Sequence, residues 1–219
     1  MLKYILFDLD GTVSDSGLGI MACVRYALES LGIRENDDKR LRAFVGPPLS
    51  DQFRAGYDLD EAQVKAALEK YRERYTVQGI LENEMYAGMG ELLRELKAAG
   101  RRLALATSKP LPFAREIIER YGVADCFEVI MGSELDGRRS TKIQVMEEAL
   151  RQMGLTEPAA LAETAMVGDR KYDIEGARHC GVLAIGVGFG YADPGELKAA
   201  GADVILPTVE ALRSYLLGE

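Results

Sequence analysis

From Tyr86 onward the chain alternates short apolar runs with segments patterned for helix, and this alternation constrains the fold more than any other feature. The runs are Leu103-Ala104-Leu105-Ala106, Phe127-Glu128-Val129-Ile130-Met131, Ala165-Met166-Val167, 182–187 and 202–206. Helical spacing marks the segments near 89–99, 111–121, 142–153, 173–180 and 208–217. One more apolar run, 3–7, lies ahead of them. Short strands linked by helices argue for a parallel sheet covered on both faces. The class is therefore α/β.

Residues 17–82 break the pattern. They carry helical periodicity and no convincing strand: Ile20-Met21, Val24, Ala27-Leu28 and Leu31 on one face, later Val64, Ala67-Leu68, Tyr71 and Tyr75. Gly32, Gly46-Pro47-Pro48 and Gly56 punctuate this block. It reads as an all-helical insertion between the first strand and the rest of the sheet. The Tyr71/Tyr75 pair is read as helical packing.

Composition closes off several classes of function. The 219 residues suffice for a core domain and a smaller one, and 47% hydrophobic with 28% charged residues is ordinary for a globular protein. A net charge of −8 disfavours nucleic acid, which needs a basic footprint. A small anionic substrate needs only local positive charge. A single histidine, His179, rules out a His-based triad or a multi-His metal site, and its place near a helix end reads as structural. Cys23, Cys126 and Cys180 lack metal spacing and read as reduced thiols. Neither a secretory signal nor a membrane-length apolar stretch is legible, so the expected location is the cytoplasm.

The chemistry is concentrated where the apolar runs end. The first passes into Asp8-Leu9-Asp10-Gly11-Thr12, two carboxylates on one side of a strand end. Such a pair is costly unless a cation or a shared proton relieves it. It predicts a metal site, an acid/nucleophile pair, or both. Thr107-Ser108-Lys109 follows the next run, Lys142 opens a helix beyond the third, and Gly168-Asp169 with Asp173 follows the fourth. Ligands of open α/β sheets bind beyond the carboxyl ends of the strands, so these groups are expected to converge.

Taken in this order, Asp8-Leu9-Asp10-Gly11-Thr12, Thr107, Lys142 and Gly168-Asp169-x-x-x-Asp173 resemble the haloacid dehalogenase-like superfamily of phosphohydrolases over essentially the whole chain. Phe44-Val45-Gly46-Pro47-Pro48-Leu49 and Gly168-Asp169-Arg170-Lys171-Tyr172-Asp173-Ile174 are similar to a phosphoglycolate phosphatase or 5′-nucleotidase-like branch. The resemblance implies a Rossmann-like core at 1–14 and 84–219 and a helical cap at 15–83. It implies a Mg²⁺-dependent phosphatase acting on a small phosphorylated metabolite, 2-phosphoglycolate or a nucleoside 5′-monophosphate. A monomer or weak homodimer is expected, with neither membrane nor nucleic acid as partner.

The same resemblance assigns roles. Asp8 would be the nucleophile that forms an aspartyl-phosphate, and Asp10 the general acid and base. Asp8, Asp169 and the Asp10 backbone carbonyl would hold Mg²⁺, with Asp173 supporting through water. Thr107 and Lys142 would clamp the transferring phosphoryl group. Gly11, Thr12, Ser108 and Lys109 would touch substrate, and Gly46 and Pro47 would lie in a substrate-selecting loop. Plainer readings stand beside these. Asp173 is also readable as an N-cap, a role compatible with the first, Thr107-Ser108 as a cap at a strand-to-helix turn, and Lys109 as surface. Thr141-x-x-Gln144 reads as a capping box, which puts Lys142 in a first helical turn where a cation opposes the helix dipole. Arg138-Arg139 reads as solvated or as bordering the site. Gly186-Val187-Gly188-Phe189-Gly190 reads as a glycine-rich loop, not a dinucleotide fingerprint. A β-phosphoglucomutase-like phosphomutase, or a non-catalytic regulatory protein on the same fold, are the competing functions.

Overall fold

The computed structural model describes residues 2–136 and 138–218. The chain forms two compact units, Met1–Ser14 with Met85–Glu219, and Asp15–Glu84. It passes from one to the other through two short strands, Ser14–Asp15 and Glu84–Met85.

The first unit is built on a six-stranded sheet. Its strands are β1 (Tyr4–Phe7), β2 (Arg102–Pro110), β3 (Phe127–Ser133), β4 (Thr164–Gly168), β5 (Leu183–Val187) and β6 (Val204–Leu206). They lie in the order 3-2-1-4-5-6 and every pairing is parallel. This is a Rossmann-like α/β fold, whose order reverses beside β1. The main helices are α1 (Met89–Ala98), α2 (Leu111–Arg120), α3 (Lys142–Gln152), α4 (Lys171–Cys180) and α5 (Val209–Leu217).

Both faces of the sheet are buried, which is why the strands read as continuous apolar runs. Leu6, Ala104, Ala106, Met166 and Ala184 pack with Val145, Met146, Ala149 and Leu150 of α3 and with Ile174 and Ala177 of α4. Ile5, Phe7, Leu103, Leu105, Val167 and Ile185 alternate with them along the strands, are equally buried, and point to the opposite face. Phe7 stands level with Leu105 on β2 and Val167 on β4. One residue further along, those three strands deliver Asp8, Ala106 and Gly168 to a common edge.

Several boundaries differ from the sequence reading, those of β2 and α4 among them. β2 does not stop at Ala106 but continues to Pro110, through a register shift against β3 that spans Thr107-Ser108-Lys109. The expected strand-to-helix turn at Thr107 therefore lies four residues further on. Pro110 occupies the N-cap position of α2, just outside the helix. α4 starts at Lys171, two residues earlier than its periodicity implied.

The second unit is helical, with helices Gly17–Ser30, Asp38–Arg42, Leu49–Tyr57 and Glu61–Arg74 and a π-helical turn Tyr75–Gly79. It has its own core, including Val24, Leu28, Leu41, Phe53, Ala67 and Tyr75. Tyr71 and Tyr75 stack at 5.4 Å within it, as packing. Gly46 (φ 103°) and Pro47 lie in the loop between the second and third helices, where Phe44 meets Phe53 edge-on at 4.9 Å. Gly56 is not a breaker: it lies inside Leu49–Tyr57, and the stop is Asp58, at φ 51°.

Candidate active site

Lys142 holds the first part of the site together. The Thr141 hydroxyl accepts from the Gln144 amide at 3.3 Å, and Gln144 Oε1 accepts from the Thr141 amide at 3.4 Å. This capping box starts α3 at Lys142, which is buried rather than solvated. Its ammonium reaches Asp8 Oδ1 at 2.7 Å, Asp173 Oδ1 at 2.8 Å and the Ala106 carbonyl at 2.9 Å. The ammonium thus hydrogen-bonds one carbonyl of β2 and forms ion pairs with two carboxylates, one just after β1 and one in the first turn of α4.

Asp8 keeps one oxygen for this lysine and for the Leu9 amide, which donates to Oδ1 at 2.7 Å. Among the described residues nothing hydrogen-bonds its Oδ2. Asp169 is gripped at both oxygens: Oδ1 accepts from the Thr12 hydroxyl at 3.3 Å, and Oδ2 from the Tyr191 amide at 2.7 Å. Asp173 is the third residue of α4 and not its N-cap; its Oδ2 accepts from the Arg170 amide at 3.0 Å while Oδ1 serves Lys142. Glycines admit these carboxylates. A Cβ on Gly168 would collide with the Asp173 side chain, and one on Gly190 with Asp169 and with the Gly11 carbonyl.

Asp8, Asp169 and Asp173 each offer a carboxylate oxygen, all within 4.8 Å of one another, and all three residues are buried. Three hard, anionic oxygens beside one ammonium suit a small divalent cation such as Mg²⁺. The electrostatics agree. Burial is the main cause pushing the Asp8 carboxyl up to about 6; Lys142 opposes it and Asp173 adds to it. Burial, then Asp173 and Asp8, drive Asp169 well above the ordinary carboxylate range. Burial works against the Lys142 charge, but Asp173 and Asp8 outweigh it and hold this group above the usual lysine value. The cluster lacks positive charge, which a bound cation would supply.

Asp10 stands apart from that trio. Its carboxylate is taken by Lys109, whose ammonium donates at 2.7 and 3.0 Å to its two oxygens, and both side chains are buried. Lys109 is therefore neither on the surface nor unpaired. Thr107 is buried, and its hydroxyl accepts from the Lys109 amide at 3.2 Å, so that amide is already engaged. Ser108 gives its carbonyl to the Ser133 hydroxyl at 2.8 Å. Gly11 (φ 83°) and Thr12 form the turn after β1, and the Thr12 hydroxyl goes to Asp169, where the sequence reading put it on substrate. Gly46 and Pro47 belong to the second unit. Arg138 pairs with Asp136, and Arg139 with Glu134 and Glu148. His179 is an exposed partner of Glu147 at 3.0 Å.

Sequence reasoning missed the support around Asp169. The glycine-rich loop after β5 is a wall of the site: Gly190 packs on Asp169 and the next amide binds it. Glu196 ties the same loop to α4, accepting from the Arg170 guanidinium and the Lys171 amide, each at 2.9 Å. The glycines after an apolar run were the available signal; nothing marked Glu196.

The chain is similar to known proteins along most of its length. The family model described as haloacid dehalogenase-like hydrolase matches residues 5–187. A protein named 5′-nucleotidase from Pseudomonas aeruginosa is 44% identical over 98% of this chain and 96% of its own length. One named tyrosine-protein kinase PtkA from Mycobacterium tuberculosis is 37% identical over 98% of this chain and 72% of its own. A predicted phosphatase from Clostridium acetobutylicum superposes over the full length of both chains with a TM-score of 0.94 at 39% identity. Among the described residues no helix is long and apolar enough to cross a membrane.

Proposed function

The chain belongs to the haloacid dehalogenase-like hydrolases and is a phosphatase, and on that premise we propose a Mg²⁺-dependent phosphomonoesterase that works through an aspartyl-phosphate on Asp8. The observation that carries this reading is Asp8 itself. It is a buried carboxylate with one oxygen fixed by Lys142 and the Leu9 amide and the other with no hydrogen bond among the described residues.

In the proposed reaction an Asp8 oxygen attacks phosphorus and the bond to the leaving oxygen breaks. Protonated Asp10 delivers its proton to that oxygen. The Asp10 carboxylate then takes a proton from water, the water oxygen attacks phosphorus, and the bond to Asp8 breaks to release phosphate. Lys142 keeps Asp8 aligned and balances the phosphoryl charge, with Thr107 contributed by β2. Asp8, Asp169 and the Asp10 carbonyl, backed by Asp173, would hold Mg²⁺, which when bound supplies positive charge to the phosphoryl oxygens.

The substrate class is a small phosphate ester. Nucleoside 5′-monophosphates come first, supported by the 44%-identical relative's name, and 2-phosphoglycolate second, supported by the Phe44–Leu49 and Gly168–Ile174 motifs. The helical unit is proposed as a cap that excludes bulk water, with Gly46 and Pro47 in its selecting loop. The protein is proposed to act in the cytoplasm as a monomer or weak homodimer.

The test is phosphate release from a panel of esters, with and without Mg²⁺, for wild type and Asp8→Asn. Nucleoside monophosphates, 2-phosphoglycolate, sugar phosphates, and ATP with a tyrosine peptide make up the panel. Mg²⁺-dependent release that vanishes in the variant supports the reading, and the preferred ester names the substrate. Phosphate passed to a sugar or to tyrosine instead of water, or turnover that survives Asp8→Asn, overturns it.

A further inference from the structure

Two lysines are buried at this strand edge, and they serve different carboxylates. Lys142 is spent on Asp8, Asp173 and a carbonyl. Lys109 makes a two-pronged ion pair with Asp10, at 2.7 and 3.0 Å, with the two side chains only 5% and 8% exposed. A buried ion pair rarely adds net stability, because desolvating both charges costs about as much as their attraction returns. Yet the fold takes trouble to make this one. β2 breaks register over Thr107-Ser108-Lys109, which is how a strand re-aims a side chain. Neighbouring β3 is shaped to receive the bend. Gly132 leaves room for the Lys109 carbonyl, which a Cβ would meet at 2.6 Å, and the Ser133 hydroxyl holds the Ser108 carbonyl.

Asp10 also sits two residues from Asp8, beside a cluster that attracts cations. An unrestrained carboxylate there would turn toward Lys142 or a bound divalent ion and be lost to proton transfer. We propose that Lys109 is a positioning residue, held at the β2 bulge, that reserves the Asp10 side chain for proton transfer to and from the reacting oxygens rather than for binding phosphate itself. This rests on the proposed role of Asp10 as general acid.

The experiment compares kcat/KM for an alkyl phosphate and for 4-nitrophenyl phosphate, in wild type, Lys109→Met, Lys109→Arg and Asp10→Asn. This ratio reports only the steps up to departure of the leaving group. An alkoxide needs a proton to leave; nitrophenolate does not. In Lys109→Met the alkyl ester should lose about 10²–10⁴-fold, the worth of a general acid, while the aryl ester changes by only about fivefold. Asp10→Asn should show the same split, Lys109→Met/Asp10→Asn no further loss, and Lys109→Arg partial recovery. Mg²⁺ binding to Lys109→Met, followed by calorimetry, should be as tight as in wild type or tighter, and inhibition by inorganic phosphate unchanged. Equal losses on both esters, or weakened phosphate inhibition, would make Lys109 a structural or phosphate-binding residue and overturn the proposal. If Asp10→Asn itself shows no leaving-group dependence, it is the general-acid reading of Asp10 that fails.

Discussion

Lys142 is the residue on which the carboxylate cluster depends. Lys142→Met should leave Asp8 and Asp173 buried without their counter-charge, a loss of about 3–5 kcal/mol at neutral pH by urea unfolding in EDTA. The pH dependence follows from the sign of the shift. A carboxyl whose folded pKa is raised takes up a proton more readily folded than unfolded, so its contribution is most favourable in acid and fades as pH rises. The deficit of Lys142→Met should therefore shrink toward pH 5, and an equal deficit at pH 5 and 7.5 would refute this account. A second residue gives an independent check on burial. Burial, then Glu147, push the half-buried Cys180 thiol up to about 11. Its alkylation by iodoacetamide at pH 8 should be slow and should climb steadily up to that value; rapid reaction at pH 7 would contradict it. Residue identities near the strand ends were legible because carboxylates, a lysine and a threonine rarely follow apolar runs together. Pairings were not. That Lys109 meets Asp10, and Thr12 meets Asp169, depends on contacts between residues 99 and 157 positions apart.

Among the elements, the β2–β3 edge and the start of α3 decide how well the site is held. Gly132→Ala would drive a methyl group into the backbone of Lys109 and Leu111, at 2.6–2.8 Å, where no flexible side chain can yield. Overpacking of this kind costs about 1–3 kcal/mol, and here it should also loosen the Lys109–Asp10 pair. The checks are thermal unfolding together with the alkyl/aryl ratio of kcat/KM. Thr141→Ala removes the cap of α3 and should cost about 1 kcal/mol, with Thr141→Ser restoring most of it. Helices α3 and α5 and strands β1, β3 and β5 were legible to within two residues, because periodicity and capping chemistry are local signals. The extension of β2 to Pro110 was not, since proline beside a polar triplet reads locally as a turn. Only pairing with β3 across a bulge keeps those residues in the sheet.

At the scale of the whole molecule, ligands of the cluster come from the ends of β1 and β4 and the start of α4, so a bound cation would stabilise the entire first unit. Mg²⁺ at about a hundredfold excess over its Kd should add about 2.7 kcal/mol, seen as a rise in Tm. Protons compete for the same oxygens, with Asp8 raised to about 6, so the rise should be large at pH 7.5 and small at pH 5.5. An equal rise at both values would place the ion elsewhere. The net charge of −8 bears on partners at this same scale: the protein should pass through a heparin column at physiological salt, and retention would reveal a basic face that the composition hides. The α/β class, the parallel sheet, the helical character of the insertion and the residue types at each strand end follow from the sequence by itself, because they rest on side-chain periodicity and local backbone preference. The tertiary structure alone decided which charges meet. Lys142 goes to Asp8 and Asp173, Lys109 to Asp10, and the loop after β5 to Asp169, because burial and strand register set those distances and no local pattern encodes them.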